Sequence, residues 1–156
     1  MALQTERLGD PVRLRSRDLV RGFLDLNAEG WERGREALRR LRPHARLGVV
    51  SNFYGNLDAL LAEAGLAPLL DVVIESVRVG VAKPDPAIYR IAAERMGLPP
   101  GAIAMVGDNF DRDVRPARAV GMRGIWLRRG DHPPPEPGVA DLVISTLADI
   151  PLPNGK

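Results

Sequence analysis

The amino-acid sequence predicts an α/β protein with a doubly wound parallel sheet, arranged in three layers, α/β/α. Short apolar runs of strand length alternate with amphipathic segments of helical length, which is the pattern of βαβ units. Several of these apolar runs are followed directly by polar residues, at the end of the sheet where ligands bind. The length of 156 residues suits one compact domain that buries most of its apolar surface.

The first part of the chain is predicted to be helical. Apolar residues recur at helical spacing in residues 16–27, behind Ser16 as a cap, and again in residues 31–42, which end before Pro43. We expect three parts: a helical N-terminal segment over residues 1–30, a core domain over residues 31–150 and a polar tail over residues 151–156.

The core domain alternates between strands and helices. Gly65 and Gly97 follow helical segments, where glycine is a good C-cap, and Pro86 lies in a first helical turn. A proline-rich loop over residues 129–138 precedes the last strand. We predict strands over residues 46–50, 71–76, 102–108, 124–127 and 140–146, and helices over residues 56–64, 85–97 and 111–121.

Composition and charge exclude several classes of protein. The chain has no cysteine, which excludes disulfides, thiolate metal sites and thiol catalysis. It has no apolar run of membrane-spanning length and no signal-peptide pattern, so we expect a cytoplasmic protein without a membrane partner. Although the pI is about 9.5, the net charge is only +2, and no basic stripe or zinc-finger pattern predicts nucleic-acid binding.

The first two predicted strands of the core end near residues that suit phosphate chemistry. Ser51 and Asn52 follow the first strand, where a hydroxyl beside a helix N-terminus can donate to an anionic oxygen, although both residue types are also ordinary caps. Lys83 follows the second strand and lies before Pro84. It is one of two lysines among 22 basic residues. A lysine there can act as a compact cation toward a phosphate or a nucleophilic carboxylate, although most lysines are simply solvated.

The third predicted strand ends in an acidic cluster. Gly107 permits a tight turn, Asp108 follows it, and Asp111 and Asp113 come within one helical turn. A helix start favours acidic residues because of its dipole, which explains Asp111 and Asp113 better than Asp108. Hard oxygens at this density suit Mg²⁺. Together the three strand ends predict a site for a phosphoryl group plus Mg²⁺, in which positioning and charge neutralisation carry catalysis.

Three stretches of the chain resemble known motifs. "LGVVSN", "GVAKPDPAIY" and "MVGDNFDRDVRPARAVGMRGIWL" resemble, in order, the second, third and fourth motifs of the haloacid dehalogenase-like (HAD) hydrolases. "WERGREALRRL" resembles the helix before the second motif. The resemblance covers about residues 31–146 and is nearest to phosphatase- and dehalogenase-like members with a helical cap. It implies a HAD-like, Rossmann-like core and hydrolysis of a small phosphorylated molecule.

The resemblance also implies residue roles. Ser51 would bind the transferring phosphoryl group, and Lys83 would pair with the nucleophile and the phosphate; these two are the implied catalytic residues. Asn52 would contact the substrate. Asp108 would ligate Mg²⁺ and Asp113 would support the metal site. Dehalogenation would need no Mg²⁺, so the acidic cluster favours a phosphatase.

One part of the family pattern is missing. The family's first motif is an apolar strand ending in Asp-x-Asp, which supplies the nucleophile and the general acid/base, and the chain has no such motif before Ser51. The nearest candidate is Asp25 with Asn27, in a segment that fits a helix better than a strand, and Asn27 could not act as an acid/base.

The missing motif also removes the usual central first strand of the sheet, together with most of the cap. Unpaired strand edges in a core are costly. We therefore expect one of three arrangements: an N-terminally shortened enzyme that keeps residues 1–28 of its cap, a rearrangement in which the flanking strands pair directly or a partner segment or second copy fills the gap, or residues 20–25 forced into the strand.

Two alternatives remain beside the Mg²⁺-dependent phosphatase. One is a non-catalytic HAD-like domain that binds phosphate, metal or a partner. The other is a receiver-like domain, which also combines acids, a hydroxyl and a lysine. In a receiver the acidic pair comes first, whereas here the order is Ser51, Lys83, Asp108.

Overall fold

The computed structural model of the chain describes residues 28–130, 138 and 140–152. The predicted helix over residues 16–27, and with it Asp25, lies outside the described residues, as does most of the proline-rich loop. No helix in the described part of the chain is long and apolar enough to cross a membrane.

The predicted strands and helices of the described chain are present, with ends that differ by a few residues, and a short helix over Ser76–Val79 was not predicted. The helices are α1 (Ala28–Leu41), α2 (Leu57–Glu63), α3 (Ser76–Val79), α4 (Pro86–Met96) and α5 (Arg115–Ala119). The strands are β1 (Gly48–Ser51), β2 (Val72–Glu75), β3 (Ala104–Gly107), β4 (Arg123–Leu127) and β5 (Leu142–Ile144). Short 3-10 turns cover Ala67–Leu69, Pro100–Ala102 and Leu147–Asp149.

The strands form two separate parallel sheets. β1 pairs with β2, so that Ser51 lies opposite Glu75, and the order of the second sheet is β3–β4–β5. Within the described residues, no ladder joins β1 to β3. The expectation that the two flanking strands pair directly is therefore wrong for this part of the chain.

Helices cover both faces of the smaller sheet. Side chains alternate along each strand, and here they place apolar residues on both faces. Val49 and Val73 pack into an apolar cluster centred on α2, together with Trp31 and Leu38 of α1. Their neighbours on the opposite face of the sheet pack against α4. This is the predicted three-layer arrangement.

Helix α4 connects the two sheets. Ile88 and Tyr89, both fully buried, form a cluster with Ile74 of β2. Val50 of β1 and Met105 of β3 pack against the same cluster. Side-chain packing against α4 thus holds the two sheets together, although no ladder of hydrogen bonds joins them in the described residues.

Two predicted elements differ in detail. The segment predicted as one helix over residues 111–121 is a π-helical turn over Phe110–Val114 followed by α5, with Pro116 in the first turn of α5. Pro116 lacks the backbone N–H that a continuous helix would need, so it lies at the start of a new helix. Ser76, predicted as the end of a strand, begins α3 instead.

Candidate active site

The first strand end is tied directly to the lysine loop. Ser51 is the last residue of β1 and is partly buried. Next to it, the Asn52 side chain donates from Nδ2 to the Lys83 carbonyl at 2.9 Å. The Lys83 N–H donates to Asn52 Oδ1 at 2.8 Å. Both ends of the Asn52 amide are therefore engaged with the backbone of Lys83, which joins Ser51 and Lys83 into one unit.

Lys83 points at the third strand end. Its Nζ lies 2.7 Å from Asp113 Oδ1, and the two side chains are 11% and 4% exposed. Asp85 accepts from the Ala87 N–H at 2.8 Å and caps α4, which fixes the loop that carries Lys83. An ammonium has three donors, and its contact with Asp113 uses one of them.

Asp113 reaches this position because Gly107 leaves room for it. A Cβ at Gly107 would lie 2.3 Å from Asp113 Cβ and 2.6 Å from its Oδ2. The π-helical turn orients the carboxylate further, since the Asn109 N–H donates to Asp113 Oδ2 at 3.1 Å. Gly107 therefore has a steric role at the site: the close approach of Asp113, rather than a left-handed turn, requires a glycine here.

Tyr89 of α4 holds the π-helical turn through a hydrogen bond. Its hydroxyl donates to the Arg112 carbonyl, and its ring is fully buried in α4. Burial raises the pKa of the Tyr89 phenol well above its ordinary value, and the nearby Asp113 carboxylate adds to this. The phenol is thus a neutral structural donor rather than an acid or base.

The predicted acidic cluster does not assemble as a group of three. Asp108 pairs with Arg129, whose Nε lies 3.1 Å from Asp108 Oδ2. Asp111 pairs with Arg115 at 3.1 Å and is largely exposed. Asp113 turns inward. No group of three His, Cys, Asp or Glu side chains in the described residues could hold a metal ion.

Two carboxylates still fit a magnesium site of the kind that completes itself with substrate. Mg²⁺ is commonly held by one or two carboxylates, with waters and substrate phosphate oxygens as the other ligands. Asp108 is 44% exposed and open to solvent at the strand end. It directly follows Gly107, where an added Cβ would meet the Asp113 side chain. The donor set is compatible with Mg²⁺, provided that Asp108 exchanges Arg129 for the ion.

Sequence reasoning missed Arg129, Glu75, Ser76 and Arg78. Arg129 was assigned only to the proline-rich loop, and Glu75 and Ser76 only to a strand end. Glu75 did carry a signal, because an acidic residue directly after three β-branched residues is unusual in a buried strand.

Comparison with known proteins identifies the family of the chain. The family model of the haloacid dehalogenase-like hydrolases matches residues 3–121. The chain belongs to this family. The predicted fold is confirmed as well, since a HAD phosphatase from Thermococcus onnurineus superposes with a TM-score of 0.66 at 36% identity, over 72% of this chain and 52% of that one.

Curated relatives of this HAD chain include phosphatases. It is 41% identical over 90 residues to a phosphoserine phosphatase of Thermus thermophilus, covering 58% of this chain and 36% of that protein. It is 30% identical over 115 residues to the pyrimidine 5'-nucleotidase YjjG of Escherichia coli, covering 72% and 51%. The HAD chain thus spans between 36% and 51% of the length of these two relatives.

Proposed function

We propose that this HAD chain supplies the phosphate- and Mg²⁺-binding part of a phosphatase site for a small phosphorylated molecule. The observation that carries the proposal is the Lys83–Asp113 pair, 2.7 Å apart, linked through Asn52 to Ser51. A cation fixed beside a strand-end hydroxyl suits a phosphoryl group, whose oxygens need donors and positive charge. The phosphatase relatives agree with this chemistry.

The proposal gives each residue of the site a role. Ser51 donates to a phosphoryl oxygen, and Lys83 neutralises its charge with the donors that Asp113 leaves unused. Asn52 holds these two residues together. Asp108 and Asp113 would hold Mg²⁺, which when bound would neutralise charge on the phosphate oxygens.

The nucleophile is proposed to come from an added strand. Among the described residues, β1 pairs only with β2 and β3 only with β4, so each of them has one edge without a ladder partner. Both are only partly buried, whereas the three central residues of β4 are buried. A strand between β1 and β3 would end beside Lys83, where a carboxylate nucleophile would meet both the cation and the phosphate.

This strand can come from residues 20–25, from a longer chain, or from a partner segment or second copy. The proposal involves neither nucleic acid nor a membrane, and it assumes a cytoplasmic setting. Its test is hydrolysis of an aryl phosphate in the presence of Mg²⁺. Loss of turnover in both Asp25→Ala and Asp108→Ala would place the nucleophile in this chain, and loss in Asp108→Ala alone would place it elsewhere.

A second candidate function is phosphate binding without turnover. It is favoured by the fact that the carboxylate paired with Lys83 in the described residues is Asp113, which the π-helical turn also holds. Inorganic phosphate binding by calorimetry separates the candidates: saturable binding without hydrolysis supports the second. Absence of binding in the folded protein would refute both.

A matched pair of variants tests the metal assignment. Asp108 lies just before the π-helical turn and Asp111 lies within it, and each pairs with an arginine at 3.1 Å. We expect Asp108→Asn to weaken Mg²⁺ binding by calorimetry and Asp111→Asn to leave it unchanged. Equal effects of the two variants would show that Mg²⁺ binding responds to the overall negative charge of this region rather than to Asp108.

A further inference from the structure

The further inference concerns a buried carboxylate that the proposed site does not use. Within the described residues, the buried polar or charged side chains are Asp113 and Glu75, and Glu75 is 2% exposed. A buried carboxylate is costly unless it is paired and hydrogen-bonded. Asp113 belongs to the site, and Glu75 lies at the end of β2, opposite Ser51.

Glu75 binds the loop that follows Ser51. Its Oε1 accepts from the Gly55 N–H and from the Leu57 N–H, the latter at 3.3 Å. Its Oε2 lies 2.9 Å from Arg78 Nε, and Arg78 Nη2 donates to the Gly55 carbonyl at 3.0 Å. The Asn56 side chain makes no capping bond to α2, so Glu75 serves as the acceptor at that helix start.

The residue next to Glu75 holds the same loop. Ser76 Oγ accepts from the Phe53 N–H at 3.2 Å and lies 3.4 Å from the Phe53 carbonyl, to which it donates. The loop over residues 52–57 is therefore bound at Asn52 by Lys83, at Phe53 by Ser76, and at its C-terminal half by Glu75. All of these partners come from the end of β2 or from the segment that follows it.

We propose that Glu75 is a positioning residue for the phosphate site. It fixes the backbone of residues 52–57, so that Ser51 and Asn52 keep their places beside Lys83. The inference rests on the proposed function, because the quantity it predicts is phosphate affinity. Fixed donors bind an anion better than mobile ones, since less ordering is required on binding.

The chain provides a matched control at the other end of β2. Asp71 accepts from the Leu47 N–H at 2.8 Å, and Arg42 Nη2 lies 3.0 Å from its Oδ1. Asp71 thus makes the same kind of contacts as Glu75, to the segment before β1 rather than after it. A purely structural carboxylate should behave like Asp71.

The experiment measures inorganic phosphate affinity by calorimetry in the whole chain. We expect Glu75→Ala to weaken binding roughly ten- to a hundredfold, while Glu75→Gln, whose amide oxygen can still accept from the loop, loses less. Asp71→Asn should keep the wild-type affinity, although urea denaturation should show some loss of stability in all three variants. Wild-type affinity in Glu75→Ala, or an equal loss in Asp71→Asn, would overturn the inference.

A second readout separates this inference from the proposed function. The side-chain amide signals of Asn52 in NMR spectra report its bonds to Lys83 without any ligand. We expect Glu75→Ala to shift or broaden them and Asp71→Asn to leave them unchanged. If wild-type protein binds no phosphate, the proposed function fails, and unchanged Asn52 signals in Glu75→Ala would refute the positioning role independently.

Discussion

Replacing Gly107 by alanine should separate the folding of the chain from the geometry of its site. The added Cβ would lie 2.3 Å from Asp113 Cβ and 2.7 Å from its Cγ. Because these contacts involve the root of the Asp113 side chain, rotation of the carboxylate cannot relieve them. The π-helical turn must therefore move, and Asp113 must move away from Lys83.

The magnitude follows from two opposing effects. Forcing a methyl group into a packed position costs about 1–3 kcal/mol. Replacing glycine by alanine restricts the unfolded chain and returns about 0.4–1 kcal/mol, since the φ angle of Gly107 is one that alanine can adopt. The midpoints of these two ranges give a net loss of about 1.3 kcal/mol in the free energy of unfolding.

Gly48→Ala is the matched control. It lies on β1 opposite Val72, and its added Cβ would lie 2.9 Å from Met96 Cε and 3.1 Å from the Val72 carbonyl oxygen, neither of which belongs to the π-helical turn. Urea denaturation should show a loss of stability in both variants, while calorimetry should show weaker phosphate binding only in Gly107→Ala. Wild-type stability and affinity in Gly107→Ala would refute the reasoning.

Three further predictions follow from single contacts. Lys83→Met leaves Asp113 buried without its cation and should lower the free energy of unfolding by about 3–5 kcal/mol in urea denaturation. The double variant with Asp113→Asn should recover part of this loss. No recovery would mean that the two side chains are not coupled. Burial raises the pKa of Tyr89, so the folded state keeps a proton that the unfolded chain loses above about pH 10. Stability should therefore fall as pH rises above that value, and less steeply in Tyr89→Phe; equal slopes would contradict this. Asp85→Ala removes the cap bond to Ala87 and should lower the melting temperature, at a cost of about 0.5–2 kcal/mol, whereas an unchanged melting temperature would show that the cap contributes nothing.

The order of the elements could be predicted because it depends on the local spacing of apolar residues. Alternating apolar runs identified the strands, and glycines and prolines marked the helix ends. The break between the π-helical turn and α5 was missed because residues 111–121 keep a helical pattern throughout, although Pro116 was a signal for a new helix start.

The site was predictable only in part. Lys83 was identified by its rarity in the composition and by the motif around it. The resemblance implies that it pairs with the nucleophile, whereas its carboxylate partner in the described residues is Asp113. Which carboxylate it meets depends on tertiary packing, through the close approach of Gly107 and Asp113. The contacts of Glu75 and Arg129 join residues that are distant in sequence, so no local pattern carries them.

The division into two sheets has a consequence for hydrogen exchange. In a parallel strand, successive N–H groups point alternately to the two neighbouring strands, so that about half of the amides of β1 and β3 lack a ladder partner in the described sheets. These amides should exchange with deuterium much faster than those facing β2 and β4. An added strand would abolish this difference between the two sides of each strand, which makes the exchange pattern a direct record of whether the sheet has been completed.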